Sequence, residues 1–596
     1  MPRSPLHLPD RTGRGLAASL LLLGLLACDR DREAETGAGA GREGAGERAA
    51  AAERALLAAM ADSASWASYG RDQTNQRYSP LSQITTANVG ELQLAWRYNT
   101  GIFHSFEASP VVVDGTMYVS TPLNHVVALE AATGRRRWEY AHDYDGVTVH
   151  CCGPVNRGVA VYGDRVYMGT LDAQLIALDA GSGEVAWRTR VADNAKAYAV
   201  NGPIVAVDGK VLAGTSGAEY GIRGYIAAYD AQSGAEVWRW HTIPSPEDGG
   251  WWGQWRETDA FGVSLNRNIA REKQDSARHA DSWQRGGGSV WQAPAVDREL
   301  GLVIFTVGNP SPDLDGSGRP GDNLYTNSIV ALDYRTGELK WYYQQIPHDV
   351  WDLDTASPVM LVEVADSTGT RVKAVAQAGK HGWVDIVDRR SGKPLRRSRN
   401  FVPQENMYAL PTEKGTRMLP GANGGSEWSA HAYHPETGYM YVLAMHQPML
   451  YKVRPQPFKP PAMWLGGAFV GTGEPQYGLF SAVDLNSGRI AWQKRVADPM
   501  IGGAVATAGG VVFTGTKDRQ FLAFDAKSGE QLWRYRSRGG VNAPPITYAV
   551  NGRQYVAVAA GGNFQINAPR SDEVLVFALK GAGGAAADTA RQEASR

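Results

Sequence analysis

Residues 523–533 read AFDAKSGEQLW and contain the end of one strand, a turn and the start of a second strand. The order Asp525, Ser528, Gly529 favours a tight hairpin turn, because glycine readily adopts the positive φ angle that such turns need. Apolar and polar residues alternate on both sides of the turn, which indicates β-strands. The large Trp533 that follows is expected to fill the space between this sheet and a neighbouring sheet.

The same pattern, Ala-x-Asp-x-x-x-Gly-x-x-x-Trp, recurs along the chain. Trp138, Trp187 and Trp238 lie 49 and 51 residues apart, a period typical of propeller blades. The 103 residues between Trp238 and Trp341 fit either one blade with a long insertion or two blades. The well-formed copies are 128–138, 177–187, 228–238, 331–341, 482–492 and 523–533, and degenerate copies occur at Asp297, Asp388 and His434.

This repeat predicts an all-β protein, an eight-bladed β-propeller of four-stranded antiparallel sheets, over residues 63–580. A closed ring requires that a strand near Leu92–Trp96 pairs with the last strand near Val574–Leu579. The alternative is a solenoid or a set of separate β-domains. It is disfavoured because no segment within the repeats has the composition of an interdomain linker.

The two ends of the chain have a different composition. Three arginines precede the apolar run Leu16–Ala27, which is too short to span a bilayer, so residues 1–28 are predicted to be a signal peptide. The run ends in Leu-Leu-Ala-Cys, which resembles a bacterial lipoprotein cleavage box and makes Cys28 a candidate lipid anchor of a periplasmic protein. The alternative is an ordinary signal peptide with an incidental Cys. Residues 29–62 are predicted to be a flexible tether and residues 581–596 a disordered tail.

The overall composition excludes some functions. The chain has 60 basic and 61 acidic side chains and a net charge of −1, so no nucleic-acid partner is expected. Hydrophobic residues make up 43%, which argues against disorder over the main part of the chain.

Cys151 and Cys152 are adjacent, and they are the only cysteines after the predicted signal peptide. In an oxidising compartment two adjacent thiols can close an eight-membered ring at a cost in backbone strain. Such a ring cannot tie distant segments together, so it suits a functional site better than a structural crosslink. The alternative is two incidental buried thiols.

The cysteine segment 151–158 (CCGPVNRG), with residues 66–81 and 561–563, resembles the pyrroloquinoline quinone (PQQ)-dependent alcohol and methanol dehydrogenases, periplasmic eight-bladed quinoproteins. The resemblance covers essentially the whole mature domain. It implies that PQQ lies between a Cys151–Cys152 disulfide ring and Trp291, which ends the segment GGGSVW. The other cofactor-binding residues that it implies, or that their chemistry suits, are Glu107, Arg157, Ser216, Gly217, Ala218 and Lys380.

The resemblance also implies a metal ion, Ca²⁺ or a lanthanide, bound by oxygen atoms. Its ligands would be Glu219 and Asn309 with Asp352 and Asp354, the last two from the segment 347–354 (PHDVWDLD). In the methanol dehydrogenase branch, an acid two residues after the catalytic Asp marks lanthanide-dependent enzymes. The competing interpretation is that Asp354 only marks kinship with glucose dehydrogenases, which use divalent ions. Asp349 is expected to be a solvated turn residue.

The implied reaction is oxidation of a small alcohol to an aldehyde or ketone. Asp352 would accept the alcohol proton while a hydride moves to metal-polarised PQQ. One alternative is sugar oxidation, and a second is a non-catalytic propeller scaffold lipoprotein, which would have no need of this set of site residues. The haem-attachment pattern Cys-x-x-Cys-His is absent from the sequence, so a separate acceptor, a periplasmic c-type cytochrome or another, is expected. The substrate pocket is expected to depend on loops such as Trp251–Arg285.

Overall fold

The computed structural model describes residues 46–144 and 150–581. A compact unit begins at Ala49, and all elements below belong to it. The predicted signal peptide, Cys28 and residues 29–45 of the predicted tether lie outside the described residues, as do residues 145–149 and 582–596 of the predicted tail.

Eight antiparallel sheets of four paired strands, the predicted number of blades, are present in the described part of the chain, so the predicted fold is confirmed. Blades 1 to 5 each use four consecutive strands. Blades 1 and 2 contain β3 (Val111–Val113), β4 (Thr116–Ser120), β5 (Val126–Glu130), β6 (Arg136–Tyr140), β7 (Ala160–Tyr162), β8 (Arg165–Gly169), β9 (Gln174–Asp179) and β10 (Val185–Arg190). Blades 3 to 5 contain β11 (Val205–Val207), β12 (Lys210–Gly214), β13 (Tyr225–Asp230), β14 (Glu236–His241), β15 (Ala295–Asp297), β16 (Leu302–Val307), β17 (Ser328–Asp333), β18 (Leu339–Gln344), β19 (Met360–Ala365), β20 (Arg371–Ala378), β21 (Val384–Asp388) and β22 (Pro394–Arg397).

Blades 6 to 8 are less regular. The long interval between Trp238 and Trp341 contains one blade, blade 4, with an insertion before it. Blade 6 is interrupted by two strands that belong to a separate three-stranded sheet, called the cap sheet here. The cap sheet contains β23 (Thr416–Met418), β26 (Met449–Val453) and β27 (Gly467–Gly471). Blades 6 to 8 contain β24 (Ala432–His434), β25 (Tyr439–His446), β28 (Tyr477–Asp484), β29 (Ile490–Val496), β30 (Ala504–Thr507), β31 (Val511–Gly515), β32 (Gln520–Asp525), β33 (Gln531–Arg536), β34 (Ile546–Val550), β35 (Arg553–Ala560) and β36 (Glu573–Leu579).

The ring closes as the sequence predicts. Strand β2 (Leu92–Asn99) is the fourth strand of blade 8 and pairs antiparallel with β36, with Leu94 opposite Phe577 and Trp96 opposite Val576. Strand β1 (Tyr78–Ser79) adds in parallel to β30 of blade 7. The N-terminal segment therefore joins two blades that come from the end of the chain.

Residues 66–77, before β1, run along the inner strands of the ring. Their main-chain and side-chain atoms hydrogen-bond to the first strand, or a residue next to it, of seven blades. Asn75, for example, donates to the carbonyl groups of Ala293 and Val359, 3.0 and 3.2 Å away. The partners are Val112, Ala206, Ala293, Val296, Val359, Leu361, Tyr433, Ala504 and Pro545.

The repeated Gly and Trp explain how neighbouring blades pack. Gly183 has φ +78°, and a Cβ atom there would lie 2.5 Å from Cε3 of Trp138 in the preceding blade. The indole Nε1 of Trp138 donates to the carbonyl of Ala180, 2.9 Å away. The same glycine–indole contact occurs at Gly134, Gly234, Gly337, Gly392 and Gly529. Each Trp thus joins its blade to the turn of the next, as its size predicts.

We expect Gly183→Ala to lower the melting temperature more than Gly115→Ala. Both glycines have positive φ, which costs alanine about 1–2 kcal/mol. Of these two glycines, only Gly183 lies against an indole, and moving the Trp138 ring to make room for the new methyl group costs about 1–3 kcal/mol more. Gly115 is the matched control because a Cβ there would have no neighbour within 4 Å. Thermal unfolding followed by circular dichroism checks this, and equal shifts in the two variants would contradict it.

Helical structure is sparse. Residues 46–61 are helical, and the part of this helix within the compact unit, residues 49–61, is called α1; Ile269–Asp275 forms a second helix, α2. Among the described residues, neither is long and apolar enough to cross a membrane. Short 3-10 helices lie in the loops at Val89–Glu91, Pro122–Asn124, Asn194–Lys196, Ala218–Tyr220, Pro246–Asp248, Ser276–His279, Ser282–Arg285 and Gly316–Gly318.

Helix α1 differs from the predicted tether over residues 49–61. Ala52 and Leu56 are 5% and 6% exposed and pack against blades 2 and 3. Glu53 accepts a hydrogen bond from the Tyr162 hydroxyl, 2.9 Å away, and pairs with Arg298. The composition of this segment is rich in small residues, but its two buried apolar side chains and one acid find partners on the propeller.

The strand order decides at which end of the propeller each loop emerges. In a four-stranded antiparallel blade, the connections after the second and fourth strands leave from the same end. The repeat turns join third and fourth strands and therefore lie at the opposite end. Cys151, Trp291 and Asp352 follow fourth strands, whereas Glu219 and Lys380 follow second strands. The irregular segments of the sequence therefore meet at one end of the propeller.

Candidate active site

A cavity of about 600 Å³ lies at this end. Ten of the thirteen site residues predicted from the sequence line it: Cys151, Cys152, Arg157, Ser216, Gly217, Glu219, Trp291, Asp352, Asp354 and Lys380. The other three, Glu107, Ala218 and Asn309, do not line it. Glu107 pairs with Arg157, the Ala218 amide donates a hydrogen bond to Oγ of Ser289, 3.0 Å away, and Asn309 is 3% exposed.

Arg157 is held by groups behind the cavity wall. Its Nη2 lies 3.0 Å from Oε2 of Glu107, and Asn563 donates to Oε1 of the same carboxylate, 2.7 Å away. Burial raises the pKa of Glu107, and the charge of Arg157 opposes that shift. The Arg157 guanidinium lies 4.8 Å from the ring centroid of Trp291. Its Nε and Nη1 are buried without a hydrogen-bond partner, so they are free to donate to a bound anionic group.

The two cysteine sulfur atoms also lie at this cavity. Their Sγ atoms are 2.9 Å apart and not bonded to each other. The side chains are partly exposed toward the cavity. The predicted disulfide between them remains a prediction.

Lys380 stands among three carboxylates. Its Nζ lies 2.6 Å from Oδ1 of Asp354, 3.4 Å from Oδ1 of Asp352 and 3.7 Å from Oε2 of Glu427. It also donates to the main-chain carbonyl of Asp352, 3.0 Å away. Burial alone would lower the pKa of Lys380, but these carboxylates raise it well above its ordinary value. Lys380 is therefore a cation that fixes the position of the Asp352 loop.

Burial destabilises the charged form of four acids that line the cavity. Burial raises the pKa of Asp352 and of Asp313 well above the ordinary value, and it raises the pKa of Glu219. Burial also raises the pKa of Glu427 to about 7 against the effect of Lys380. Together with Asp354, five carboxyl groups line the cavity. Lys380 and Arg157 are too few to balance them, and Arg157 is already paired with Glu107.

The loop that carries Asp352 is organised by Asp349. Its carboxylate accepts hydrogen bonds from the amides of Trp351 and Leu353, at 2.8 and 2.9 Å, and from Asn327, at 3.0 Å. Asp349 is fully buried, so the expectation of a solvated turn residue is wrong. Burial raises its pKa to about 6. Asp352 itself has φ +56°, a strained backbone conformation of the kind found at functional sites.

The structure adds cavity residues that the sequence reasoning missed. Asp313, Glu427 and Trp428 all line the cavity. Arg157 lies 5.2 Å from the ring centroid of Trp428. Asp313 lies four residues after Asn309, and this nearness to a predicted ligand is the one signal in the sequence that could have marked it. Glu427 and Trp428 precede the first strand of blade 6 and have no repeat or motif to mark them.

One apolar side of the cavity comes from the cap sheet and its connections. Met449 and Phe469 lie on β26 and β27, and Met463 and Leu465 lie between those strands; all four line the cavity. None of residues 251–285 lines it, so the expectation that this loop shapes the pocket is wrong. That loop instead supports the segment 319–325, for example through the Arg267–Asp322 ion pair of 2.7 Å.

The donors present fit a planar anionic cofactor and a hard cation. The unpartnered Arg157 nitrogens and the Trp291 ring suit a flat group that carries carboxylates. The oxygen-rich set Glu219, Asp352 and Asp354 suits a hard cation, and its excess negative charge favours one. Within the described residues, no three His, Cys, Asp or Glu side chains have metal-binding spacing, and the Lys380 ammonium lies between the acids instead.

The chain is similar to known proteins over most of its length. Residues 66–405 and 396–556 match the family described as PQQ: Glucose/ethanol/alcohol dehydrogenase, beta-propeller domain. The chain is 36% identical to quinohemoprotein alcohol dehydrogenase ADH-IIG from Pseudomonas putida, over 85% of this chain and 73% of that protein. It is 34% identical to a quinoprotein ethanol dehydrogenase from Pseudomonas putida, over 83% of this chain and 85% of that protein.

A solved structure extends the comparison to three dimensions. A europium-containing methanol dehydrogenase superposes with a TM-score of 0.78 and 28% identity, covering 88% of this chain and all of that one. The resemblance inferred from the cysteine pair and the neighbouring motifs is thus confirmed. The chain belongs to the family of PQQ-dependent quinoprotein alcohol dehydrogenases.

Proposed function

We propose that the protein oxidises small alcohols to aldehydes or ketones with PQQ held in the 600 Å³ cavity. The observation that carries this proposal is the set of groups that line the cavity. Arg157, with two unpartnered nitrogens, lies beside Trp291, the vicinal cysteines line the same cavity, and Lys380 lies among acids. A scaffold protein has no use for such a costly set of buried charges.

The cofactor would be held by its faces and its rim. Trp291 and the Cys151–Cys152 pair would lie against the two faces of the planar rings. Arg157 and Lys380 would supply charge for its oxygen atoms, and Ser216 would donate a hydrogen bond. Glu107 acts on the cofactor only through Arg157, which it orients with its 3.0 Å ion pair.

The metal ion would be held by the carboxylates of Glu219, Asp352 and Asp354 and by the side-chain amide oxygen of Asn309. Five buried carboxyl groups around one cavity favour an ion of high charge. We therefore propose a lanthanide ion as the preferred occupant and Ca²⁺ as the alternative. The europium in the structurally similar methanol dehydrogenase supports this order.

When bound, PQQ supplies a two-electron acceptor and the metal ion supplies a Lewis acid. The chain supplies the rest. Asp352 accepts the proton of the substrate hydroxyl at a carboxylate oxygen. Lys380 keeps the Asp352 loop in place through its 3.0 Å bond to the Asp352 carbonyl. Met449 and Phe469 of the cap sheet cover the carbon chain of the substrate and exclude water from it.

We propose a periplasmic location, with lipid attachment through Cys28, because the predicted signal peptide ends in a lipoprotein-type cleavage box. Electrons would leave to a separate acceptor, a periplasmic c-type cytochrome or another carrier. Sugar oxidation is the alternative for the same site, since its acids suit polyhydroxylated molecules as well as simple alcohols.

The test is a dye-linked assay of purified protein reconstituted with PQQ and either Ca²⁺ or La³⁺, over a panel of alcohols and sugars. Dye reduction that needs both PQQ and a metal ion is the expected result. Turnover of sugars without turnover of alcohols would support the alternative. Binding of PQQ, measured by its absorbance, without dye reduction under any combination would refute the catalytic proposal.

Mild reduction of the reconstituted enzyme should lower activity far more than thermal stability. A bond between neighbouring cysteines closes almost no loop, so it removes little entropy from the unfolded chain. Its loss would instead disturb the surface that Cys151 and Cys152 present to the cofactor. Thiol titration, dye reduction and the melting temperature before and after reduction check this. Two free thiols in the fully active protein would contradict the predicted disulfide.

A further inference from the structure

Asp313 is an acid of the cavity that has no role in the proposed reaction. Asp313 lies in the loop after β16, is 2% exposed and lines the cavity. Its Oδ1 atom is buried and has no hydrogen-bond partner. Buried carboxylates are ordinarily paired or hydrogen-bonded, so an unpartnered one at a cavity wall calls for a donor that arrives with a ligand.

The nearby cations are already committed to other groups. Arg319, which is 1% exposed, donates to the carbonyl of Pro312 at 3.1 and 2.9 Å and to the side chain of Asn323 at 2.7 Å. Its bonds therefore hold the backbone beside Asp313 and leave the carboxylate free. Lys380 donates to Asp354 and to the carbonyl of Asp352.

Asp313 is neither an expected ligand of the metal ion nor a suitable partner for the cofactor. Three other acids, Glu219, Asp352 and Asp354, are the expected ligands of the ion. PQQ presents mainly carboxylate and carbonyl oxygens, which accept hydrogen bonds and would repel a further carboxylate. The reacting hydroxyl of the substrate donates to Asp352. What is left is a second donor group on the substrate.

We propose that Asp313 is a specificity-determining residue that accepts a hydrogen bond from a second hydroxyl of the substrate. This inference rests on the proposed function and narrows its substrate class to alcohols with two or more hydroxyls. The carbon skeleton of the substrate contacts the apolar wall formed by Met449, Met463, Leu465 and Phe469. The Asp313 carboxylate accepts a hydrogen bond from the additional hydroxyl. A site built to bind a hydroxyl discriminates strongly against a substrate that lacks it, because the buried acceptor is then left unpaired.

The test compares substrates of equal carbon number: 1-propanol, 1,2-propanediol and 1,3-propanediol. The reconstituted enzyme is assayed as wild type, Asp313→Leu and Asp313→Asn, with Asp315→Asn as the control. Asp315 lies two residues away, where it accepts a hydrogen bond from the amide of Ser317, and does not line the cavity. Asn keeps an acceptor oxygen at either position, whereas Leu removes it at a similar side-chain size.

We expect the wild type to favour at least one diol over 1-propanol in kcat/KM. In Asp313→Leu that preference should fall about 10- to 100-fold, the worth of one hydrogen bond to a charged group. The loss should appear as a KM for the diol that rises relative to the KM for 1-propanol. Asp313→Asn should retain part of the preference and Asp315→Asn all of it.

Two results would overturn the inference while leaving the proposed function intact. One is turnover of 1-propanol and the diols with an unchanged ratio in Asp313→Leu. The other is loss of bound metal in that variant, measured by elemental analysis, which would make Asp313 a metal ligand. Absence of turnover with every substrate in the wild type would instead refute the proposed function itself, and the inference with it.

Discussion

Asp352→Asn should lower kcat for alcohol oxidation by about 10²–10⁴-fold, the usual contribution of a positioned general base. The amide cannot accept the hydroxyl proton, yet it is almost the same size as the carboxylate. The position of residue 352 is set by its backbone, which Lys380 and Asp349 hold through the bonds described above. The variant should therefore fold normally and bind PQQ.

Three measurements check this prediction together: kcat in the dye-linked assay, the Kd for PQQ and the melting temperature. Asp366→Asn is a suitable control, because Asp366 occupies an exposed hairpin turn where Asn can accept the same bonds from Thr368 and Thr370. A wild-type kcat in Asp352→Asn would show that another group accepts the proton. Loss of PQQ binding would show that Asp352 mainly shapes the cofactor site.

Asp354→Ala should weaken La³⁺ binding by at least about 10- to 100-fold, since even the partners of metal ligands have effects of that size. A trivalent ion needs more anionic oxygen than Ca²⁺ and offsets the repulsion between several carboxylates. In the wild type we therefore expect La³⁺ to restore more activity than Ca²⁺. Equilibrium dialysis of both ions, beside the activation assay, measures affinity without relying on turnover.

Glu427→Gln is the matched control for this prediction. Both Asp354 and Glu427 are carboxylates near Lys380 Nζ, at 2.6 and 3.7 Å, but only Asp354 is an expected ligand. If La³⁺ binding and activation depend only on the charge around Lys380, Asp354→Ala and Glu427→Gln should weaken both equally. Equal activation by Ca²⁺ and La³⁺ in the wild type, with an unchanged response in Asp354→Ala, would refute the lanthanide assignment and favour kinship with the divalent-ion enzymes.

The sequence by itself determined the blade architecture. A period of about 50 residues carries a turn glycine and an indole that contact each other across neighbouring blades, so the repeat specifies both the hairpin and its packing. Ring closure between β2 and β36 follows from the same logic, because an open ring would leave two unpaired edges. Ten of the thirteen predicted site residues line one cavity, and they occur in compact motifs within the irregular segments.

Only the tertiary structure decided which additional residues complete the cavity. Asp313 belongs to blade 4, whereas Glu427 and the cap sheet lie at blade 6, and no local pattern records that second-strand and fourth-strand loops meet at one end. Helix α1 is a similar case. Its composition of small residues predicts a flexible tether, but Leu56 is buried against blades 2 and 3. Local turns and periodic packing are encoded within a few residues. Burial and the partners of a charge depend on segments hundreds of residues apart, which the chain brings together only when the ring has closed.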